Sequence, residues 1–381
     1  MYFSHKLSTV YIDSVKITLR KHIAFTTQKG ERHMTTRGLI VGKFAPLTRG
    51  HVTFIHRAAA RVDELHVMVC YDEKFLAELP TDLQSKLSLK NRHIWLLETF
   101  EKYSNVHIGI VDETLIKEYP EGAAEFTKLV RKSLSEEFGE VMLTHTFSSE
   151  PSYDSYFRQF FPETKHEVID PERQLVKISA TEVRSSLYHN WQYLAQSARK
   201  DFVKSVAIIG CESTGKSTLA KQLADHFSTL YVPEVGRVIC EAEFYSHEEY
   251  MAAQDYVDVA FAHKEAERQK KKLANKLLIS DTNNLITEFS ALCMGKKSNL
   301  LALMSRAEKY DLVLYTDIDV SWVGDNLRRN GDPGRRTETD AMLRKLCDER
   351  KVEHIVHING TYEQRLLKAI TAINNLLGVT S

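Results

Sequence analysis

The chain has 381 residues, too many for one ordinary core, so two domains of usual size are expected. Its 43% hydrophobic and 27% charged content is that of a folded globular protein and excludes a disordered or fibrous chain. Its 51 basic and 51 acidic residues cancel, which excludes broad attraction to nucleic acid or a membrane surface and confines phosphate-binding charge to local clusters. The five cysteines (Cys70, Cys211, Cys240, Cys293 and Cys347) are scattered, with no C-x-x-C pair. That usage fits a reducing cytoplasm better than a disulfide framework or a zinc site. There is no 18-residue apolar run and no signal-peptide pattern, so a soluble, unexported protein is expected.

Residues 1–36 carry polar and basic side chains without helical or strand periodicity and read as a poorly ordered leader. Such a stub is too short for a helix-turn-helix module with its own core. From Gly38 the pattern changes. Gly38–Phe44 reads as a buried parallel strand, and a helix opening at His51 places Val52, Ile55, Ala59 and Val62 on one face. Leu65–Cys70 is the next strand, which completes a βαβ unit. Helical signal over 89–102, strand over 106–111, helix over 123–138 and strands over 141–147 and 167–169 continue the alternation. This predicts a doubly wound, Rossmann-like α/β domain over 37–200 that binds ligands at the carboxyl ends of its strands.

Two loops of that domain carry chemistry. In Gly42-Lys43-Phe44-Ala45-Pro46-Leu47-Thr48-Arg49-Gly50-His51, Thr48 and His51 bracket Gly50 at the mouth of the first helix. A hydroxyl, an imidazole and helix N–H groups can then face one anion, with Gly42, Lys43 and Phe44 leading into it. A capped helix start with an incidental histidine is the plain alternative. Near residue 180, Ser179, Thr181 and Arg184 stand where a loop turns into a helix and could grip β- and γ-phosphates; a serine N-cap with a surface arginine is the ordinary reading.

Trp191–Asp201 reads as a polar helical linker to a second domain over 201–381. There Gly210-Cys211-Glu212-Ser213-Thr214-Gly215-Lys216-Ser217 fits G-x-x-x-x-G-K-[ST], between the apolar run 206–209 and a helical pattern from Thr218. Strand, glycine loop and helix together define a P-loop. Gly210, Ser213, Thr214, Gly215 and Thr218 belong to the phosphate cradle, Lys216 is expected to reach the β- and γ-phosphates, and Ser217 to ligate Mg²⁺. Strand 230–232 ends at Glu234, the candidate base for an acceptor hydroxyl, with Arg237 to hold it or the substrate; a surface ion pair is the alternative. A long helix is expected over 248–275. Strand 277–281 ends in Asp281, placed to hold the Mg²⁺ shell or to cap the next helix. A strand over 311–316, a Gly/Pro-rich loop carrying Arg328, Arg335 and Arg336, a strand over 356–358 and a helix over 361–377 close the chain. The arginines suit a lid over a transferring phosphate.

The G-K-F-x-P-x-[HT]-x-G-H and I-S-x-T-x-x-R segments resemble the nucleotidyltransferase superfamily. Followed by a P-loop kinase, they resemble the bacterial bifunctional nicotinamide mononucleotide adenylyltransferase/ribosylnicotinamide kinase family over about 37–381. The resemblance implies ATP as co-substrate at both sites, with nicotinamide riboside and its mononucleotide as substrates and NAD as product. It implies that Ser148, Ser149 and Glu150 lie beside the nucleotide substrate, that Trp322 stacks on the nicotinamide ring, and that Asp325 binds ribose hydroxyls. Thr48 replaces the first histidine usual in the motif, and Ser321 and Asn326 depart from the family's P-W-x-x-D-G-x-R stretch. A coenzyme A synthase-like pairing of phosphopantetheine adenylyltransferase with a kinase would also carry T-x-G-H, but looks like G-S-F-D where this chain has Gly42-Lys43-Phe44. A nucleotide sensor without turnover is the remaining alternative. The sequence leaves the oligomeric state, homo-oligomers included, open.

Overall fold

The computed structural model describes residues 34–172, 174–320 and 333–379. Nearly all of the expected leader therefore lies outside the described residues. From Thr36 onward the chain forms one compact unit built around two sheets.

The first sheet contains β1 (Arg37–Gly42), β2 (Glu64–Tyr71), β3 (Val106–Asp112), β4 (His145–Ser148) and β5 (Lys165–Val168). All are parallel, in the order β3-β2-β1-β4-β5. Helices cover both faces, so the strands read as apolar runs; the six interior residues of β2 are all buried. Strand order reverses between β1 and β4, and the crevice there opens at their carboxyl ends, beside Gly42 and Ser148.

The second sheet contains β6 (Lys204–Gly210), β7 (Leu230–Val232), β8 (Leu277–Asp281), β9 (Leu312–Thr316) and β10 (Ile355–Ile358), again all parallel, in the order β10-β9-β6-β8-β7. The reversal falls around central β6, so the P-loop leaves from the middle of this sheet with Asp281 on the neighbouring strand.

Several boundaries differ from those expected. β4 begins at His145, because the segment from Val141 runs outside the sheet with Met142 71% exposed. The long helix expected over 248–275 breaks at Ala252, whose backbone is extended and whose N–H donates to the Asp255 carboxylate at 2.6 Å; the helix proper is Ala253–Lys271. Short helices Val235–Glu243 and Asn299–Ala307 went unanticipated, and the helix after Asp281 spans Asn284–Cys293.

The reading of Trp191–Asp201 as a polar linker is corrected. It forms a 3₁₀ turn, Trp191–Tyr193, and a helix, Gln196–Phe202, with Trp191, Leu194, Ala195, Ala198 and Phe202 buried. The expected boundary at 200/201 falls inside that helix. Burial of each large apolar side chain contributes about 1.5–3 kcal/mol, enough to dock the segment firmly. Trp95 Nε1 donates to Asp201 Oδ2 at 2.6 Å, and Ala195 N donates to the Leu47 carbonyl at 3.0 Å. One apolar core runs from Leu47, Ile55, Trp95 and Phe202 to Val232, Ala274 and Leu278 of the second half.

Candidate functional site

The first site is built on the loop after β1. Phe44 has φ 48°, and its ring meets the His51 imidazole edge-on with centroids 5.2 Å apart. Thr48 is the N-cap of helix Arg49–Ala59, and the cap is reciprocal. Thr48 Oγ1 accepts from His51 N at 3.2 Å, and His51 Nδ1 accepts from Thr48 N at 3.2 Å. Because Nδ1 is an acceptor, the neutral imidazole carries its proton on Nε2. The capping alternative and the anion-binding one are thus compatible: the cap fixes the ring and its tautomer.

Ser179 likewise caps helix Ala180–Ser185 in a box with Glu182. Arg184 then ties the two loops together, Nη1 donating to the Ala45 carbonyl and Nη2 to Thr181 Oγ1 at 2.9 Å. A cleft is lined by Thr48, Gly50, His51, Ser149, Ile178 and Ser179 among others, so residues more than 100 positions apart converge at the sheet's reversal. Ser148 is buried, donating to the Glu150 carbonyl at 3.0 Å and lying 3.0 Å from His166 Nε2; Ser149 is the serine of that pair that lines the cleft.

Lys43 is held at the other side of the β1 end. Its Nζ is 2.9 Å from Asp72 and 3.8 Å from Glu113, and it sits 4.5 Å from the Phe75 ring centroid, with the Arg184 guanidinium 5.4 Å from the same centroid. Burial raises the Glu113 pKa. Asp72, Phe75, Glu113 and the wholly buried Arg92 were not anticipated. Arg92 left one signal: a cation three and four positions before Trp95 and Leu96, on an otherwise apolar helix face.

The P-loop has the expected form. Gly210 has φ 142°, and a Cβ there would lie 2.3 Å from Thr316 Oγ1 and 2.6 Å from Thr316 O, so only glycine fits beside β9. Gly215 (φ 84°) is the left-handed N-cap of helix Lys216–His226, and Ser213 also has positive φ (57°). Thr214 is buried: Oγ1 donates to the Cys211 carbonyl at 2.8 Å and lies 2.7 Å from Thr316 Oγ1, so its side chain shapes the loop from within. Lys216 Nζ folds back to the same carbonyl at 2.8 Å. Thr218 is exposed on the first turn.

Asp281 is 2% exposed; burial raises its pKa, a hydrogen bond from Ser217 opposes that shift, and Oδ1 has no hydrogen-bond partner. The capping alternative for Asp281 fails, since Asn283 caps the next helix. Lys216, Glu234 and Arg237 lie near enough to perturb Asp281 electrostatically, and Glu234 is 3.6 Å from Arg237. Four expected residues, Ser217, Lys216, Glu234 and Arg237, therefore lie within hydrogen-bonding or electrostatic reach of Asp281. A buried carboxylate oxygen beside a hydroxyl is a hard-oxygen donor set that suits Mg²⁺, which is commonly held by one or two side chains plus phosphate oxygens. The described residues hold no cluster of three or more His, Cys, Asp or Glu fit for a metal.

Arg365, unanticipated, braces the loop from the last helix. Its Nη1 donates to Thr214 O at 2.9 Å, its Nε to Gly360 O at 3.0 Å, and its Nη2 to Asp317 O at 2.8 Å and to Asp319. The placement of Arg335 and Arg336 in a loop is corrected: both lie on the first turn of helix Pro333–Arg350, where Arg336 Nη1 donates to Val320 O at 3.0 Å. Trp322, Asp325 and Arg328 lie outside the described residues.

Fold and sites together define a Rossmann-like nucleotidyltransferase followed by a P-loop NTPase-fold kinase. Residues 205–365 match the family model described as an AAA domain. Over 350 residues the chain is 29% identical to the trifunctional NAD biosynthesis/regulator protein NadR of Escherichia coli (strain K12), covering 91% of this chain and 85% of that protein. Two crystal structures of NadR, one in complex with NR and one with NAD and AMP-PNP, share the fold with TM-scores of 0.75 and 0.73 at 22% and 23% identity, each over 91% of this chain and 97% of the other. Phosphopantetheine adenylyltransferase of Streptococcus suis (strain 05ZYH33) is 31% identical over 40% of this chain and 83% of its own length, within the nucleotidyltransferase family to which this part belongs. The chain as a whole is a NadR-like protein.

Proposed function

We propose that the chain makes NAD in two ATP-dependent steps. The P-loop half transfers a phosphoryl group from ATP to the 5′-hydroxyl of nicotinamide riboside. In the Rossmann-like half a phosphate oxygen of the resulting mononucleotide attacks the α-phosphorus of a second ATP; the new P–O–P bond gives NAD and pyrophosphate leaves. The observation that carries this reading is the similarity to NadR, which spans both phosphate sites in one chain. Neither reaction needs a covalent enzyme intermediate, so positioning and charge stabilisation do the work.

In the kinase half, Glu234 takes the proton of the acceptor hydroxyl, and Arg237 holds Glu234 or the riboside. Lys216 neutralises charge on the β- and γ-phosphates, while the P-loop N–H groups hold them. Ser217 and Asp281 would hold Mg²⁺, which would supply positive charge to offset that of the phosphates. Arg335 and Arg336 supply further cations from the start of their helix. In the nucleotidyltransferase half, His51 Nε2–H, Thr48 and the helix N-terminus face the α-phosphate. Ser179, Thr181 and Arg184 hold the β- and γ-phosphates, and Ser149 and Glu150 border the mononucleotide. Among the described residues no helix is long and apolar enough to cross a membrane, and the five cysteines are unpaired; we place the enzyme in the cytoplasm.

The test supplies ATP-Mg²⁺ with nicotinamide riboside, nicotinamide mononucleotide or phosphopantetheine and weighs the products. The mononucleotide and NAD are expected. Dephospho-coenzyme A would instead favour the second reading, to which the Streptococcus suis match lends weight. Tight binding without any product would make the chain a sensor.

A further inference from the structure

Arg92 is 0% exposed, on helix Leu89–Phe100, below the carboxyl ends of β1 and β2. Its guanidinium donates only to main-chain carbonyls: Nε to Leu87 O at 2.8 Å, and Nη1 to Lys43 O at 2.5 Å and Cys70 O at 2.9 Å. Nη2 is buried without a partner. Asp72 and Glu113 act on it through space, and neither is bonded to it. A buried cation without a paired anion is costly, so a fold that keeps one gains something from it.

The gain follows from peptide geometry. In a trans peptide the C=O and the following N–H point in opposite directions. Arg92 draws the Lys43 carbonyl into the interior, so the Phe44 N–H of the same peptide unit points outward, on the loop where the Phe44 ring packs on His51. Phe44 holds φ 48°, a conformation that a non-glycine residue keeps only when its surroundings enforce it.

We propose that Arg92 is a positioning residue for adenylyl transfer: it aims the Phe44 N–H at the reacting phosphate, and that bound phosphate is the counter-charge the buried guanidinium lacks. This rests on the function proposed above. A donor fixed in advance stabilises charge that develops in the transition state, so its loss acts on kcat more than on KM.

The experiment uses the full-length protein and measures both activities in Arg92→Met and Arg92→Lys. In Arg92→Met, kcat for NAD formation from added mononucleotide should fall about 100-fold, with KM for ATP changed less than about 3-fold and riboside phosphorylation unchanged. Arg92→Lys keeps a charge but cannot reach three carbonyls at once, and should fall between Met and the parent. An Arg92→Met protein with intact kinase activity and adenylyl transfer within about 3-fold of the parent overturns the proposal. So does a loss carried mainly by KM. If Arg92→Met does not fold, Arg92→Lys decides: parent-level adenylyl transfer, or equal loss of both activities, overturns it. A parent protein that never makes NAD sinks the proposed function instead, a result visible before any variant is made.

Discussion

Lys216→Ala separates the two chemistries. In the structure the Lys216 ammonium donates to the Cys211 carbonyl at 2.8 Å, and Thr214 Oγ1 donates to that carbonyl at the same distance. Removing the lysine therefore leaves no orphaned acceptor, and the stability cost stays within about 1 kcal/mol. For a protein of this size that is a melting shift of at most about 4 °C. The catalytic cost should be larger, because in the proposed function the ammonium meets charge that builds on the transferring phosphoryl group. Loss of one such contact lowers turnover about 10²–10³-fold, or about 3–4 kcal/mol in the barrier. Adenylyl transfer should stay within about twofold of the parent, since the phosphate contacts proposed for it come from loops of the other sheet and exposed charges are screened over about 10 Å. The assay is paired on one preparation: riboside phosphorylation, and NAD formation from added mononucleotide, with a melting curve. A variant that melts normally yet loses both activities would refute the reasoning and require a shared site or obligatory coupling.

His51→Ala should reduce pyrophosphate release from mononucleotide and ATP at least about 100-fold with kinase activity intact, and lower stability by about 1 kcal/mol because the imidazole is half of the helix cap; parent-level release removes His51 from the mechanism. Asp281→Asn should cut riboside phosphorylation more than about 100-fold and raise the Mg²⁺ concentration for half-maximal rate without destabilising the fold, since a buried, half-satisfied carboxylate is replaced by a neutral isostere; unchanged Mg²⁺ dependence would clear Asp281 of the metal role. His66 is 3% exposed, with both ring nitrogens unpartnered, and burial, helped by neighbouring His107, pushes its pKa down to about 4 from 6.5. The unfolded chain binds this proton first, so stability is full above pH 6.5 and falls by about 3 kcal/mol as pH drops to 4; His66→Phe should flatten that part of a denaturant-midpoint curve, and an unaltered slope would exclude His66 as its source.

Where one physical rule dominates, the sequence was readable. The P-loop was legible because its glycines answer a backbone demand that no other residue meets, as the contact between Gly210 and Thr316 makes plain. Helix Ala123–Phe138 was read to the residue because its apolar face is regular and Gly139 stops it. The capping serine and threonine at the first site were visible, but not that His51 completes the cap through Nδ1, which depends on the ring's rotation. Arg92 and Arg365 were missed for a common reason: each occupies an apolar helix face and satisfies main-chain carbonyls of a distant loop, so local pattern says exposed cation while tertiary structure says internal brace. Asp72 and Glu113 were missed because their meaning comes from Lys43, about 30 and 70 positions away in sequence.

The segment from Trp191 to Phe202 carries the least obvious consequence. Its composition looks like that of a tether, and a tether would let the two halves fold and move separately. Docked as it is, the segment touches the first site's loop at one end, through the antiparallel bridge of Leu194 to Thr48 and the Ala195 N–H on Leu47. At the other end it hands the chain, through Phe202 and Val203, directly to the strand that carries the P-loop. Stability is a property of the whole apolar core, and this core includes side chains of both halves. Phosphate chemistry is set by contacts within a few ångströms of each ATP. With the sites as proposed, the architecture separates catalysis while joining folding. A substitution that empties the shared core, such as Phe202→Ala, should lower the melting temperature of both activities together, whereas one at either phosphate loop should silence a single reaction in a protein that melts as the parent does.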